Sequence, residues 1–199
     1  MKFELLNPES APEASRGILQ AVEQKYGFVP NLLGVMASAP PLLRAYTTLS
    51  ALFEESSLSP TERQVVLIAA SAENGCQYCV AAHTVIAGMQ NVPPEVVHAL
   101  RTDAPIADAK LESLRRFTRE VVASRGWPPA EAVLAFESAG YSSSQALEVI
   151  LGIGMKTLSN YTNHLAQTPL DAPFSRAAWE KGETRTGQAR PAAEVQAAR

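Results

Sequence analysis

The sequence has 199 residues, of which 46% are hydrophobic and 19% are charged, and its formal net charge is -3. This length suits one domain with a substantial core, with or without a tail. The sequence has no broad basic face, which argues against nucleic-acid binding. No apolar run is long enough to span a bilayer, so we expect no membrane association.

The N-terminal residues carry acids early and lack a continuous apolar stretch, so we expect no signal peptide. We therefore expect a cytoplasmic protein. Thiols rest reduced in that compartment, where two close cysteines are more often catalytic or metal-binding than structural.

The apolar periodicity is helical almost throughout, without the sustained alternation that is typical of strands. Ser59-Pro60-Thr61-Glu62 is the clearest helix start, and Asn74-Gly75 ends the same helix. In chain order, helices are predicted over residues 12–26, near 30–38, from Pro40 through Phe53, from Ser59 to Asn74, from Cys76 to Gly88, and over 93–101, 107–125, 128–139 and 143–167.

The last long helix runs through Leu147, Ile150, Ile153, Leu158, Tyr161 and Leu165. Gly152 and Gly154 within it cost about 1 kcal/mol each relative to alanine, which suggests a close helix–helix approach. Beyond it, Phe174 and Trp179 are candidates to anchor the chain against the core. We predict one all-α domain over residues 1–180 and a flexible tail over 181–199.

The two cysteines of the chain lie three residues apart, and a histidine follows four residues later. On a helix, Cys76, Cys79 and His83 share one face. Both cysteines fall in the first turn, where unpaired backbone N–H groups and the helix dipole favour a thiolate. His83 is placed to take the proton of Cys79, and Cys76 to close a disulfide once Cys79 is oxidised. The pattern therefore indicates redox chemistry.

A zinc site is the alternative interpretation, since cysteine and histidine are both zinc ligands. One helix supplies three ligands at best, and His98 or His164 would have to fold back as the fourth. We expect neither a bound metal nor a cofactor.

Residues 58–63 and 74–84 read LSPTER and NGCQYCVAAHT. At these positions the sequence resembles the superfamily of AhpD-like alkylhydroperoxidases and carboxymuconolactone decarboxylases. The resemblance implies an AhpD-like all-α bundle with the CxxC motif at the N-terminus of a central helix. It also implies a homo-oligomer (dimer, trimer or hexamer) with the cysteine helix in a cleft near an interface.

The resemblance further implies thiol-dependent reduction of hydrogen peroxide or organic hydroperoxides. In that scheme Cys79 attacks the peroxide, Cys76 resolves the product and His83 helps to deprotonate Cys79. An external dithiol then reduces the disulfide. The decarboxylase branch lacks the cysteine pair, so both sulfurs favour the redox branch.

Two positions differ from the peroxidase pattern. Gln64 stands where those members place a glutamate, and Tyr78 stands where they place a histidine. Glu62 is close in sequence, but two residues along a helix is about 200° around it, so it faces away. His164 belongs to a polar patch on the last helix and is either a helix end facing water or part of the cleft beside Cys79.

Two other functions remain open from the sequence. One is a non-enzymatic redox sensor, a helical oligomer whose thiol state changes its assembly. The other is an enzyme of the same fold that uses the cleft for a different small substrate.

Overall fold

The computed structural model describes residues 1–182, and these residues contain helices and no strand. The all-α class is confirmed. The nine α-helices of this part are α1 (Glu13–Tyr26), α2 (Asn31–Met36), α3 (Pro40–Glu54), α4 (Pro60–Glu73), α5 (Gln77–Met89), α6 (Pro94–Thr102), α7 (Ala109–Ala123), α8 (Ala130–Ser138) and α9 (Ser143–Ala166), and a 3-10 helix follows over Ala172–Ala177.

The predicted helix ends differ from these bounds by at most two residues. The predicted flexible tail lies almost entirely outside the described residues and stays a prediction. Between residues 1 and 182, none of the helices combines the length and the apolarity that crossing a bilayer requires.

Helix α4 is the central element of the bundle. Its start is fixed by a reciprocal capping box: Ser59 Oγ accepts from the Glu62 backbone N–H at 3.2 Å, and Glu62 Oε2 accepts from the Ser59 N–H at 2.8 Å. From Gln64 to Ser71 every residue is buried. The helix therefore contacts neighbours on all sides, including α5, α6, α7 and α9.

Helix α9 packs against α3 and α4 with its small and polar side chains facing inward. Its buried residues are Val149, Gly152, Met155, Lys156, Ser159, Asn160 and Asn163. By contrast, Leu147, Ile150, Tyr161 and Leu165 are 71%, 46%, 61% and 69% exposed. The apolar residues that mark this helix in the sequence thus lie largely on its outer face.

The chain after α9 folds back over the start of α5. Phe174 and Trp179 are both buried, as expected of anchoring residues. The Trp179 indole N–H donates to the carbonyl of Arg101 at 2.7 Å, and Phe174 packs edge-on against Tyr78. This segment forms one wall beside the cysteine motif.

Gly152 permits the close approach of α9 to its neighbours. A Cβ at this position would lie 2.8 Å from Phe53 Cζ and 2.9 Å from Val66 Cγ1. We expect Gly152→Ala to lower the free energy of unfolding by about 1–3 kcal/mol, because overpacking a well-packed core forces neighbouring side chains to move.

Gly17→Ala is the matched control, since a Cβ there meets no atom within 4 Å and the residue is inside α1. This control is expected to raise stability by up to about 1 kcal/mol through helix propensity. Urea denaturation of both variants checks the prediction, and equal stabilisation by the two substitutions would contradict it.

Candidate active site

Cys76 and Cys79 lie at the N-terminus of α5. Gly75 adopts φ +70°, a left-handed conformation that turns the chain from α4 into α5. Cys76 is the N-cap and Cys79 is the third helical residue. Both are free thiols and only 1% exposed. The pair is therefore a buried dithiol in the first turn, where the sequence places it.

The polar face of α9 covers both sulfur atoms. Asn163 Nδ2 lies 3.3 Å from Cys79 Sγ and 3.8 Å from Cys76 Sγ. Ser159 Oγ lies 3.7 Å from Cys79 Sγ. An amide N–H and a hydroxyl are donors that stabilise a thiolate, so this face suits an ionised Cys79.

Lys156 supplies a full positive charge to the same cluster. Its side chain is buried, with 1% of the residue exposed. Burial opposes its charge, but the negative charge of Cys79, together with Tyr46 and Cys76, raises the pKa of Lys156 above its ordinary value. The ammonium is therefore retained inside the bundle.

The two thiols differ strongly in acidity. Burial disfavours the thiolate of Cys79, but the hydrogen bond from Cys76, the charge of Lys156 and hydrogen bonds from Ser159 and Asn160 hold its pKa well below the usual range. The hydrogen bond to Cys79 and burial both raise the pKa of Cys76. Cys79 is thus the more acidic of the two thiols, and Cys76 is the one that keeps its proton.

His83 lies between Lys156 and Gln64. Its Nε2 is 3.0 Å from Lys156 Nζ, and its Nδ1 is 3.1 Å from Gln64 Oε1. Burial and the charge of Lys156 lower the pKa of His83 well below its usual value. Because an ammonium can only donate, Nε2 accepts from Lys156 and Nδ1–H donates to Gln64.

Gln64 continues this chain of hydrogen bonds towards the surface. Its Nε2 donates to Gln90 Oε1 at 3.1 Å, and Gln90 is exposed. Within residues 1–182, no hydrogen bond joins His83 to Cys79 or Cys76. The role of His83 as the base that deprotonates Cys79 stays a prediction, and the group next to the imidazole is Lys156.

Tyr78 holds the cleft wall in place. Its hydroxyl donates to Asp171 Oδ2 and accepts from the Leu32 N–H at 3.4 Å. Asp171 Oδ1 accepts from the Asn31 N–H at 3.0 Å. Burial and the bond to Asp171 raise the pKa of Tyr78, so the phenol stays protonated.

Glu62 lies away from the cysteine cluster. Besides capping α4, it accepts from the Tyr141 hydroxyl at 2.9 Å and pairs with Lys110 at 3.5 Å. Its backbone and side-chain bonds outweigh burial and lower its pKa. Glu62 therefore stabilises the N-terminus of α4.

A cleft of about 500 Å³ reaches the dithiol from outside. Cys76 and Asn163 line it, with Tyr78 and Trp179 in its walls and the exposed His164 at its edge. Cys79 is not among the lining residues. The cleft thus ends at the Cys76 side of the pair.

The described part of the chain contains no cluster of three or more His, Cys, Asp or Glu side chains arranged to hold a metal ion. His98 and His164 are both exposed, and neither joins the cysteine cluster.

Comparison with known proteins agrees with this fold and motif. The model of the carboxymuconolactone decarboxylase family matches residues 40–136, which include α4 and α5 with both cysteines. This match, over just under half of the chain, supports the superfamily resemblance that the sequence motif indicates. No curated protein matches the sequence.

Solved structures share the superfamily fold. A peroxidase-related protein with an alkylhydroperoxidase AhpD core from Ralstonia eutropha JMP134 superposes with TM-score 0.75 at 23% identity, covering 87% of this chain and 93% of that one. The debrominase Bmp8 in complex with 2,3,4-tribromopyrrole gives TM-score 0.75 at 19% identity, over 89% and 95% of the chains. A peroxidase-related protein from Silicibacter sp. TM1040 superposes with TM-score 0.74 at 21% identity, covering 87% of this chain and 92% of that one.

Three residues of the cluster were not predicted from the sequence: Lys156, Ser159 and Asn163. A lone lysine in an apolar helix is normally solvated, so the residue type alone does not predict a buried charge. The spacing does carry a signal, because positions 156, 159, 160 and 163 form one polar stripe at helical intervals.

We expect Lys156→Met to raise the pKa of Cys79 to or above the ordinary thiol value of about 8.5, because burial would then act without the compensating charge. Ultraviolet thiolate absorbance across a pH series measures this, with Cys79→Ser to assign the signal. Lys25→Met, at an exposed lysine, is the matched control.

His83→Gln separates the two sources of activation. We expect His83→Gln to raise the pKa of Cys79 by less than Lys156→Met does, because the imidazole is neutral and contacts Lys156 rather than sulfur. A larger rise in His83→Gln than in Lys156→Met would assign the activation of Cys79 to the histidine instead.

Proposed function

We propose that this protein is a cytoplasmic dithiol oxidoreductase that reduces hydrogen peroxide or organic hydroperoxides through Cys79 and Cys76. One observation carries the proposal: two buried free thiols share the first turn of α5 beside Asn163, and the charge of Lys156 helps to hold the pKa of Cys79 well below its usual range. A stabilised thiolate with a resolving thiol beside it supports two-electron reduction of a peroxide bond.

In the first step the Cys79 thiolate attacks one peroxide oxygen. An S–O bond forms and the O–O bond breaks, so sulfur loses two electrons and the departing oxygen leaves as alkoxide or hydroxide. Lys156 donates its proton to that oxygen, giving an alcohol or water and a neutral amine. The product on the enzyme is the sulfenic acid of Cys79.

In the second step the Cys76 sulfur attacks the Cys79 sulfenic acid. The S–S bond forms, the S–O bond breaks, and hydroxide leaves as water with the proton of Cys76. The position of the two thiols supports this step, because both lie in the first turn of α5 beside the same Asn163 amide nitrogen.

An external dithiol completes the cycle. We propose that it attacks Cys76, because Cys76 lines the cleft and Cys79 does not. Cys79 is also the better leaving group, since a thiol of lower pKa departs more readily. The donor's two protons restore the Cys76 thiol and the Lys156 ammonium, and the donor leaves as a disulfide.

A second candidate is reduction of another small substrate by the same dithiol. The observation that favours it is Gln64, a neutral amide where the peroxidase pattern has a glutamate, hydrogen bonded to His83. The similarity in fold to a debrominase makes brominated pyrroles a reasonable class to test. A redox sensor that is oxidised once and not recycled is the non-enzymatic alternative.

We expect Cys79→Ser to abolish peroxide consumption and Cys76→Ser to accumulate a sulfenic acid on Cys79, because the resolving thiol is then missing. Peroxide consumption with a dithiol donor and dimedone labelling followed by mass spectrometry measure the two effects. Measurable turnover in Cys79→Ser would contradict the proposal.

The wild-type result distinguishes the alternatives. Repeated turnover supports the peroxidase, whereas a single oxidation to the disulfide without recycling supports the sensor. Reduction of 2,3,4-tribromopyrrole in place of peroxide would support the second candidate.

The direction of reductive attack gives a further prediction. When the Cys76–Cys79 disulfide is treated briefly with glutathione and quenched with an alkylating agent, we expect the glutathione on Cys76 and the alkyl group on Cys79. Tandem mass spectrometry resolves the two, because fragmentation between them separates the sulfur atoms. Glutathione mainly on Cys79 would contradict attack from the cleft.

A further inference from the structure

The side-chain amide of Asn163 contacts the cysteine pair with one end and leaves the other end without a partner. Its Nδ2 lies 3.3 Å from Cys79 Sγ and 3.8 Å from Cys76 Sγ. The nitrogen faces the sulfur atoms because a thiolate only accepts hydrogen bonds and Cys79 is the more acidic thiol. Oδ1 therefore lies on the other side of the planar amide, where it is buried and accepts no hydrogen bond from residues 1–182.

Thr168 brings a second unpartnered atom close to the first. Gln167 adopts φ +50° and ends α9, and the Thr168 N–H then donates to the Asn163 carbonyl at 3.2 Å. Thr168 Oγ1 is buried and has no hydrogen-bond partner within the same described residues. Unpaired buried polar groups are few in folded proteins and each costs free energy, so two of them on adjoining residues point to a ligand.

These two atoms belong to the cleft beside the dithiol. In the described part of the chain, four buried side-chain polar atoms lack a partner, on Ser56, Ser113, Asn163 and Thr168. Asn163 and Thr168 line the cleft that ends at Cys76, whereas the two serines do not. The cleft thus offers an amide oxygen and a hydroxyl beside the sulfur that an incoming thiol attacks.

A peptide group complements this pair of atoms. Its N–H only donates, which satisfies Asn163 Oδ1, and its C=O accepts from the Thr168 hydroxyl. In a cysteine residue the thiol and the peptide N–H are attached to neighbouring carbon atoms. A disulfide holds its two Cα atoms about 5.5–6 Å apart, so a cysteine joined to Cys76 brings its own backbone to the first turn of α5.

The charge of the cleft favours a donor without ionised ends. Among the lining residues within 1–182, Glu180 is the one carboxylate and none is lysine or arginine. Free carboxylates, such as those of glutathione, would meet a like charge there and no cation. A cysteine inside a polypeptide is flanked by neutral peptide groups instead.

Oxidation makes the amide of Asn163 available to such a ligand. In the Cys76–Cys79 disulfide neither sulfur carries a negative charge, so the hydrogen bond from Nδ2 loses its charge assistance. The side chain is then free to turn Oδ1 towards the cleft. The state that needs the electron donor is therefore the state that binds it.

We propose that the electron donor is a dithiol polypeptide, and that Asn163 and Thr168 bind the peptide groups beside its attacking cysteine. This inference rests on the proposed function and names the class of its donor. The donor thiolate attacks Cys76 Sγ, a new S–S bond forms, and the Cys76–Cys79 bond breaks with Cys79 leaving as thiolate. The donor's second thiol then attacks its own sulfur in the mixed disulfide, passes its proton to Cys76, and leaves as a disulfide.

Three small thiols test the recognition of the peptide group. N-acetylcysteamine carries an amide, 2-mercaptoethyl acetate has oxygen in place of the N–H, and 2-methoxyethanethiol has neither N–H nor C=O. Each reduces the disulfide of the full chain, prepared with diamide, and mass spectrometry after alkylation counts the free thiols. With rates corrected for thiol pKa, we expect the amide to react about tenfold faster than the ester.

Asn163→Leu should bring the ratio of amide to ester rates close to one. A general change in the reactivity of the disulfide would slow both thiols equally and leave that ratio unchanged. Equal rates with the two thiols in wild type, or an unchanged ratio in Asn163→Leu, would overturn the proposal. Because diamide forms the disulfide, these results do not depend on whether peroxide is the substrate.

Thr168→Val should slow the amide and the ester by about threefold and leave the ether unaffected, because only the first two have a carbonyl. Thr162→Val is the matched control, since the Thr162 hydroxyl donates to the Leu158 carbonyl at 2.7 Å and does not line the cleft. Equal slowing of all three thiols in Thr168→Val would contradict the role of its hydroxyl.

A last comparison separates a polypeptide donor from a free tripeptide. We expect N-acetylcysteine methylamide, a capped cysteine residue, to reduce the disulfide faster than glutathione after correction for thiol pKa. Faster reduction by glutathione would overturn the assignment to a polypeptide.

Discussion

The close packing of α9 against the central helix is the constraint on which the cysteine site depends. Without a side chain at Gly152, α9 approaches Phe53 and Val66 at van der Waals contact. One turn further along, the same face carries Lys156, and the next two turns bring Ser159 and then Asn163 over the sulfur atoms. A wider spacing between the helices would admit water, which would screen the lysine and weaken each of these interactions.

Most of the fold was predictable from the sequence because helix ends are set by local chemistry. Ser59 and Glu62 form the predicted capping box, and Gly75 ends α4 where the glycine signal lies. The orientation of α9 was not predictable in the same way. Apolar periodicity identifies a face, but it does not say whether the core or another surface covers that face, and here the outward side of α9 is the more apolar one.

The site was predictable in part. Two cysteines in a first turn follow from spacing and from the turn at Gly75, so the dithiol itself needed no tertiary information. The group that activates the dithiol could be identified only from the tertiary structure, because Lys156 is 77 residues from Cys79 in the chain. The helix dipole provides about half a unit charge at the N-terminus, whereas the lysine provides a whole one in a low-dielectric interior.

The buried ammonium also bears on how readily the dithiol accepts electrons. In the reduced protein, the charge of Lys156 is balanced by the Cys79 thiolate. Forming the disulfide removes that anion and, because Lys156 gives up its proton in the proposed first step, the attraction between thiolate and ammonium exists only in the reduced state. The reduced state is thereby stabilised relative to the oxidised one, so the reduction potential of the pair is shifted upward, towards that of an oxidising disulfide.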